Sequence, residues 1–252
     1  MFVKKTLKRW LPERIQRILK KFRRIKEHPV IDVLNNLIKK ESYVVMQIGS
    51  FIGDSENDPI YNFFRRNPNQ NGQLILIEPI QEYFSQLVKN YNHLKNTIFI
   101  NAAVSGFSGK TVIKRISVNP EDYGFPNWLK QVSSIKDERM KEMWDSYEKS
   151  EEIRNFFIAH SVDEVVDCCT VNEICGKNAV NKIDLLLIDA EGSELEIITA
   201  IDFLRINPIN ICYESVLLGE NKIKLEEFLR KKNYKMQDYG QDTFAFKVGG
   251  VD

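Results

Sequence analysis

Three carboxylates follow strand-like apolar segments and could carry acid–base chemistry. Asp189 and Glu191 come directly after the segment IDLLLI (183–188), and Glu214 ends the next one, INICY (209–213). Like charges packed this closely cost free energy unless a cation or a catalytic role compensates them. We expect Asp189 to be a general base with Glu191 and Glu214 as acidic neighbours. The same oxygens could hold a divalent cation such as Mg²⁺, but no metal site is predicted.

A fourth carboxylate, Glu78, could bind the hydroxyls of a sugar. Glu78 follows the apolar segment QLILI (73–77). A carboxylate at the end of a strand can accept hydrogen bonds from both hydroxyls of a ribose, although it could equally cap the next helix. Ala102 and Ala103, after the segment TIFIN (97–101), would leave room for a flat purine ring or simply form a tight corner.

The loop after the first apolar segment, YVVMQI (43–48), could approach a ligand closely. Gly49 and Gly53 permit a sharp turn, and Gln47 and Ser50 offer hydrogen bonds. The spacing is not GxGxxG, which argues against a dinucleotide at this loop.

These residues need a parallel sheet to bring them together. The five apolar segments named above are typical of strands buried on both faces, and helical segments lie between them. A terminal hairpin is predicted around Gly240. We therefore predict an α/β sheet with helices on both faces and a ligand at the carboxyl ends of its strands. The predicted helices span 30–40, 59–66, 80–92, 193–205 and 222–232.

Four motifs in this order resemble the FkbM family of S-adenosylmethionine-dependent methyltransferases. They are QIG-x₃-G, LIEP, NAAVS and KIDLLLIDAEGSELEII, and the similarity spans residues 43–248. The resemblance implies a Rossmann-like class I methyltransferase fold, with a seven-stranded, mostly parallel sheet and a C-terminal antiparallel hairpin. It also implies S-adenosyl-L-methionine as cofactor and O-methylation of a hydroxyl, often on a sugar, a glycan or a related small molecule.

The resemblance also assigns roles to the residues above. Glu78 would bind the ribose, and Asp189 and Glu191 would lie beside the sulfonium and the acceptor. Residues implied near the methionine moiety are Gln47, Gly49, Ser50 and Gly53, and those near the adenine are Ala102 and Ala103. One branch of the family differs from this chain at Phe51-Ile52 and at Ser215.

Two other functions remain open at this point. A methyltransferase fold could serve as a catalytically inactive binding or scaffold module, for which the changed Phe51-Ile52 and Ser215 speak. A nicotinamide-dependent oxidoreductase would use a similar sheet, but the missing GxGxxG and the terminal hairpin argue against it.

Composition indicates an ordinary globular chain. Of its 252 residues 43% are hydrophobic and 28% charged. No apolar run approaches the roughly 20 residues of a membrane span, and four cysteines without a framework pattern suggest reduced thiols and a cytoplasmic location. We predict a methyltransferase domain over residues 41–252. Within it, residues 117–163 form an insertion over the carboxyl edge of the sheet, with helical spacing in 136–158, that would cover the acceptor.

The N-terminal extension, residues 1–40, begins with a basic amphipathic helix. Residues 1–26 carry a net charge of +10 and the remainder −9. Such a helix could lie on an anionic membrane surface, peripheral to the inner face, or dock on its own domain or on a second subunit in a homo-oligomer. Nucleic acid binding has less support because no recognition motif is present.

Overall fold

The computed structural model describes residues 29–54, 58, 60–134 and 150–249. The basic helix predicted within residues 1–26 lies outside this part of the chain. The helices are α1 Pro29–Leu37, α2 Tyr61–Arg66, α3 Gln81–Tyr91, α4 Ser150–His160, α5 Val171–Lys177, α6 Glu194–Thr199 and α7 Asn221–Lys231. The strands are β1 Val44–Ile48, β2 Gln73–Ile77, β3 Thr97–Ile100, β4 Ala103–Val104, β5 Gly109–Ile116, β6 Ser133–Ser134, β7 Ser161–Cys169, β8 Lys182–Ile188, β9 Asn207–Glu214, β10 Tyr234–Tyr239 and β11 Asp242–Lys247.

The central sheet has seven strands in the order β10-β11-β9-β8-β1-β2-β3. Strands β3, β2, β1, β8 and β9 are mutually parallel, and β11 is antiparallel to both β9 and β10. Continuous apolar segments such as β8 are buried on both faces because helices cover the sheet on both sides. The predicted seven-stranded, mostly parallel sheet with its C-terminal hairpin is therefore confirmed.

Two hydrophobic clusters cover the faces of the central sheet. Successive residues of β1 alternate between them: Val45 packs with α1, α2 and α3, and Met46 packs with α5, α6 and α7. This alternation fixes the register of β1, because a shift by one residue would exchange the two faces. No helix in the described ranges is long and apolar enough to cross a membrane.

A second sheet, which the sequence analysis did not predict, lies beside the first. Its four strands have the order β4-β7-β5-β6, and β5 runs antiparallel to β7 along its whole length. Charged residues interrupt the apolar ones in both strands, so neither forms a continuous apolar run. Cross-strand ion pairs join the two strands: Lys110–Asp167, Lys114–Asp163 and Arg115–Glu164.

Of the predicted helices, two differ most from those observed. Helix α6 ends at Thr199 rather than at 205, because the Asp202 side chain accepts hydrogen bonds from the amides of Leu204 and Arg205 and forms a turn instead. In the insertion the helical pattern of 136–158 corresponds to α4, which begins at Ser150; residues 135–149 are outside the described ranges.

Gly49 allows the loop after β1 to lie directly against the end of β8. Its φ of 77° is in the left-handed region. A Cβ at this position would lie 1.8 Å from the main-chain oxygen of Asp189. The amides of Gly49 and Ser50 both donate to the carbonyl of Ile77, at 3.1 and 2.9 Å. Glycine is thus required both for its conformation and for the close approach of two backbones.

We expect Gly49→Ala to lower the free energy of unfolding by about 3 kcal/mol or more, because the methyl group overlaps a main-chain oxygen. The matched control is Gly240→Ala. Gly240 has a φ of 68°, and a Cβ added there would meet no atom within 4 Å, so this variant should lose only about 1 kcal/mol. Urea unfolding of both variants measures the difference. Equal losses would show that the contact with Asp189 imposes no constraint.

Candidate active site

The carboxyl ends of β1, β2 and β8 meet at one edge of the central sheet. The amide of Asp189 donates to the carbonyl of Ile48 at 3.0 Å, and the amide of Gly49 donates to Ile77. Because β1 lies between β2 and β8, the loop after β1 is held between Glu78 and Asp189. The structure therefore brings these predicted site residues to the same edge.

Glu78 is a buried carboxylate that connects two segments of this edge. Only 4% of the residue is exposed. Its Oε1 accepts the amide of Ile80 at 2.9 Å and its Oε2 accepts the amide of Phe51 at 2.9 Å. Burial raises the pKa of Glu78 to about 7, although the two hydrogen bonds lower it. A carboxylate has about four acceptor positions, so with respect to the described residues each oxygen retains one for a ligand.

Phe51 contributes a main-chain group that the sequence analysis did not nominate. Its φ is 47°, a left-handed conformation that is costly for a phenylalanine. This conformation accompanies the hydrogen bond from its amide to Glu78. The ring of Phe51 packs edge-on against Tyr83, with centroids 4.5 Å apart. In the sequence, Phe51 stood out only because one branch of the FkbM family differs from this chain at Phe51-Ile52.

Ser50 holds the loop together from within the protein. It is 2% exposed; its Oγ donates to the carbonyl of Gln47 and accepts the amide of Ile77, both at 3.2 Å. Gly53, the second glycine of the motif, packs against Tyr91, whose ring would lie 2.5 Å from a Cβ added to the glycine. Direct contact of either residue with a cofactor stays a prediction.

Ala102 and Ala103 are both buried. Ala103 begins β4 and pairs with Cys168 of β7. It belongs to a hydrophobic cluster that contains Ile80 and Tyr83, with the partly buried Phe51 packed against it. The two alanines therefore lie near the start of α3 and Glu78, and their contact with an adenine stays a prediction.

Asp189 combines solvent exposure with desolvation. Its side chain is exposed, yet burial by the surrounding protein raises its pKa to about 7. Exposure combined with desolvation is characteristic of the wall of a cleft rather than of the outer surface. The charges of Glu194, Asp242 and Asp58 raise its pKa further.

Glu191 and Glu214 share this electrostatic environment. Burial and the charge of Asp189 raise the pKa of both carboxyls well above its usual range. Glu191 adopts a left-handed conformation, with φ of 49°. The Glu194 Oε1 accepts the amides of Ala190 and Gly192 at 3.0 and 3.2 Å, so this residue orders the acidic loop. Asp189, Glu191 and Glu214 are therefore brought into one cluster, as predicted from their positions after strands.

The described ranges contain no group of three or more His, Cys, Asp or Glu side chains arranged to hold a metal ion. All four cysteines are free, and three of them are buried. Burial raises the pKa of Cys212 and Cys169, which keeps their thiols protonated.

The insertion contacts the sheet next to Glu214. Its hydrophobic cluster includes Phe156 and Leu129, and Leu217, three residues after Glu214, packs against that cluster. Tyr123 is 52% exposed, and its ring lies 4.6 Å from that of His160. His160 thus belongs to an aromatic group in the insertion.

The raised pKa of Glu78 predicts how stability depends on pH. A carboxyl whose pKa is higher in the folded chain takes up a proton on folding, so lowering the pH stabilises the folded state. For Glu78 the change falls between its folded value of about 7 and its ordinary value of 4.5. Relative to Glu78→Gln, the wild type should gain up to about 3 kcal/mol of unfolding free energy between pH 8 and pH 4.5.

Urea unfolding at several pH values measures this gain. Glu82→Gln, an exposed carboxylate in the helix that follows Glu78, is the control and should keep the wild-type dependence. A Glu78→Gln curve parallel to that of the wild type would contradict the assignment of a raised pKa.

Comparison with solved structures gives three examples of remote likeness. One is a Klebsiella pneumoniae protein assigned as an O-methyltransferase, at 12% identity and TM-score 0.41, covering 96% of this chain and 94% of that one. Another is precorrin 8w decarboxylase from Methanobacterium thermoautotrophicum, at 11% identity and TM-score 0.39, covering 88% and 90%. The third is the fibrillarin/Nop5p complex, at 12% identity and TM-score 0.39, covering 83% and 74%. No functional argument rests on these likenesses.

The sequence comparisons establish which family the chain belongs to. None of the curated proteins compared matches the chain significantly. The family model described as "Methyltransferase FkbM domain" matches residues 47–236, which include Gln47, Glu78, Asp189 and Glu214. The chain therefore belongs to the FkbM methyltransferase domain family.

Proposed function

We propose that the protein is an S-adenosylmethionine-dependent O-methyltransferase acting on a hydroxyl of a sugar, a glycan or a related small molecule. Family membership and the sheet support the coarser statement, a methyltransferase that uses S-adenosylmethionine. The main support for the proposal is that two carboxylates lie at the same edge of the sheet. Glu78 is buried, whereas Asp189 is exposed but desolvated. One carboxylate suits a ribose, and the other suits proton transfer.

The residues at this edge fit the cofactor chemically. Glu78 accepts one amide on each oxygen in the described part of the chain, and the remaining acceptor positions match two adjacent ribose hydroxyls. Gln47 has a buried side-chain oxygen without a donor among the described residues. The carboxylates of Asp58 and Asp189 give this edge a negative potential that favours a cationic ligand. When bound, S-adenosylmethionine supplies a methyl group already activated by its sulfonium.

Asp189 is the best-placed candidate to accept a proton from the acceptor hydroxyl. It is accessible, whereas Glu78 is buried and bound by amides. Its raised pKa makes its carboxylate a stronger base than an ordinary aspartate. The charges of Glu194, Asp242 and Asp58 add to this basicity. The proton would thus move from the acceptor oxygen to a carboxylate oxygen of Asp189.

The acceptor side of the proposal is supported by the insertion. Its hydrophobic cluster packs against Leu217 beside Glu214, and the exposed Tyr123 offers an aromatic face on which a sugar ring could stack. Alignment of such an acceptor can contribute about 7–11 kcal/mol to catalysis.

One observation favours the second candidate, a catalytically inactive binding module. The hydroxyl of Ser215, which replaces a histidine found in one branch of the family, bonds to Thr243 at 2.9 Å and to the carbonyl of Gln241 at 3.3 Å. This position therefore supplies no base. Failure of the wild type to transfer a labelled methyl group to any acceptor, despite cofactor binding, would support this alternative.

Glu78→Ala should weaken binding of the demethylated cofactor, S-adenosylhomocysteine, by about 2–3 kcal/mol, because hydrogen bonds to a charged group are lost. Titration calorimetry measures the dissociation constant. Glu82→Ala, which removes an exposed carboxylate from the helix that follows, is the control and should bind normally. Unchanged affinity in Glu78→Ala would remove this residue from the cofactor site.

Asp189→Asn should reduce methyl transfer about 100-fold or more, because the base is lost, while affinity for S-adenosylhomocysteine changes much less. The assay follows labelled methyl transfer into a cell-envelope glycan extract. The exposed Asp167→Asn serves as control. Wild-type transfer by the Asp189 variant would exclude this residue as the base.

A further inference from the structure

Gln47 carries an unsatisfied acceptor at the carboxyl end of β1. The residue is 7% exposed, and its Nε2 donates to the Oδ2 of Asp58 at 3.2 Å. Its Oε1 has no hydrogen-bond donor in the described part of the chain. A buried amide oxygen left without a donor costs free energy, so a donor supplied by a ligand would stabilise the site.

Asp58 presents a second acceptor beside it. Its Oδ1 accepts the amides of Ile60 and Tyr61, at 2.7 and 3.0 Å, and thereby caps α2. Among the described residues, its Oδ2 accepts only the Gln47 bond, which leaves one position free on that oxygen. Within the described ranges no lysine or arginine forms an ion pair with Asp58. The capping role explains one oxygen of the carboxylate but not the orientation of the other.

The two acceptors belong to the same edge as the rest of the site. Gln47 lies two residues before Gly49, in the strand between β2 and β8. The charge of Asp58 contributes to the raised pKa of Asp189. Asp58 and Asp189 therefore interact electrostatically near the end of β1.

The chemistry of these groups selects a cation with several N–H donors. A neutral amide oxygen and a carboxylate oxygen both accept, so a carboxylate or phosphate would be repelled. A primary ammonium offers three donors and a positive charge, and can satisfy both oxygens at once. S-adenosylmethionine has one such ammonium, on its amino-acid portion.

We propose that the Asp58 carboxylate, oriented by the Gln47 amide, binds the ammonium group of the cofactor's amino-acid portion. The inference rests on the proposed function. Because glutamine carries no charge at the end of β1, the negative charge for this contact comes from the start of α2 instead. Asp58 is thus a binding residue and Gln47 a positioning residue.

The test compares two ligands of the wild-type protein by titration calorimetry. S-adenosylhomocysteine contains the ammonium, whereas 5′-methylthioadenosine has the same nucleoside without the amino-acid portion. Asp58→Asn retains a good helix cap while removing the charge. We expect this variant to bind S-adenosylhomocysteine at least tenfold more weakly and 5′-methylthioadenosine within twofold of the wild type.

Glu78→Ala is the matched control, because both ligands contain the ribose and should weaken together. Gln47→Met, which removes the amide but keeps the length, should behave like Asp58→Asn and selectively weaken S-adenosylhomocysteine. Equal affinity of wild type and Asp58→Asn for S-adenosylhomocysteine, or equal weakening of both ligands, would overturn the ammonium site alone. A wild type that binds neither ligand would contradict the proposed function and this inference together.

Discussion

The candidate site depends on keeping ionisable carboxylates in a crevice where water solvates them poorly. Glu78, Asp58 and Asp189 all have raised pKa values because of burial. Isolated buried charges are unfavourable, and here main-chain amides rather than lysines or arginines provide most of the compensation for Glu78 and Asp58. The folded protein thus retains unused acceptor positions, which a cationic or hydroxyl-rich ligand can satisfy.

This arrangement relates the fold to the proposed chemistry. Parallel strands end at a common edge, and the loop after β1 is held there by the carbonyl of Ile77 and by contact with Asp189. A cofactor with a sulfonium and an ammonium carries positive charge at two points. The acidic edge offers complementary charge from two elements, with Asp58 before α2 and Asp189 after β8.

The sequence was most informative where burial was complete. Strands β1, β2 and β8 are buried on both faces, so their apolar runs alone predicted them. Strands β5 and β7 escaped prediction because their ion pairs and half-exposed residues interrupt the apolar pattern. Asp58 directly precedes a predicted helix, and its Oδ1 accepts the amides of Ile60 and Tyr61. The contact of its other oxygen with Gln47 could not be read from the sequence, because it depends on the fold. Phe51 escaped because its contribution is an amide, which residue type does not encode.

The Phe51 amide has a consequence for how this protein could diverge from its relatives. Every residue except proline has an amide donor, so the bond to Glu78 requires a left-handed backbone and not a particular side chain. Asparagine adopts that backbone readily, and here the packing of Phe51 on Tyr83 accompanies it. Evolution can therefore exchange side chains at this position while the hydrogen bond to the Glu78 carboxylate is inherited unchanged.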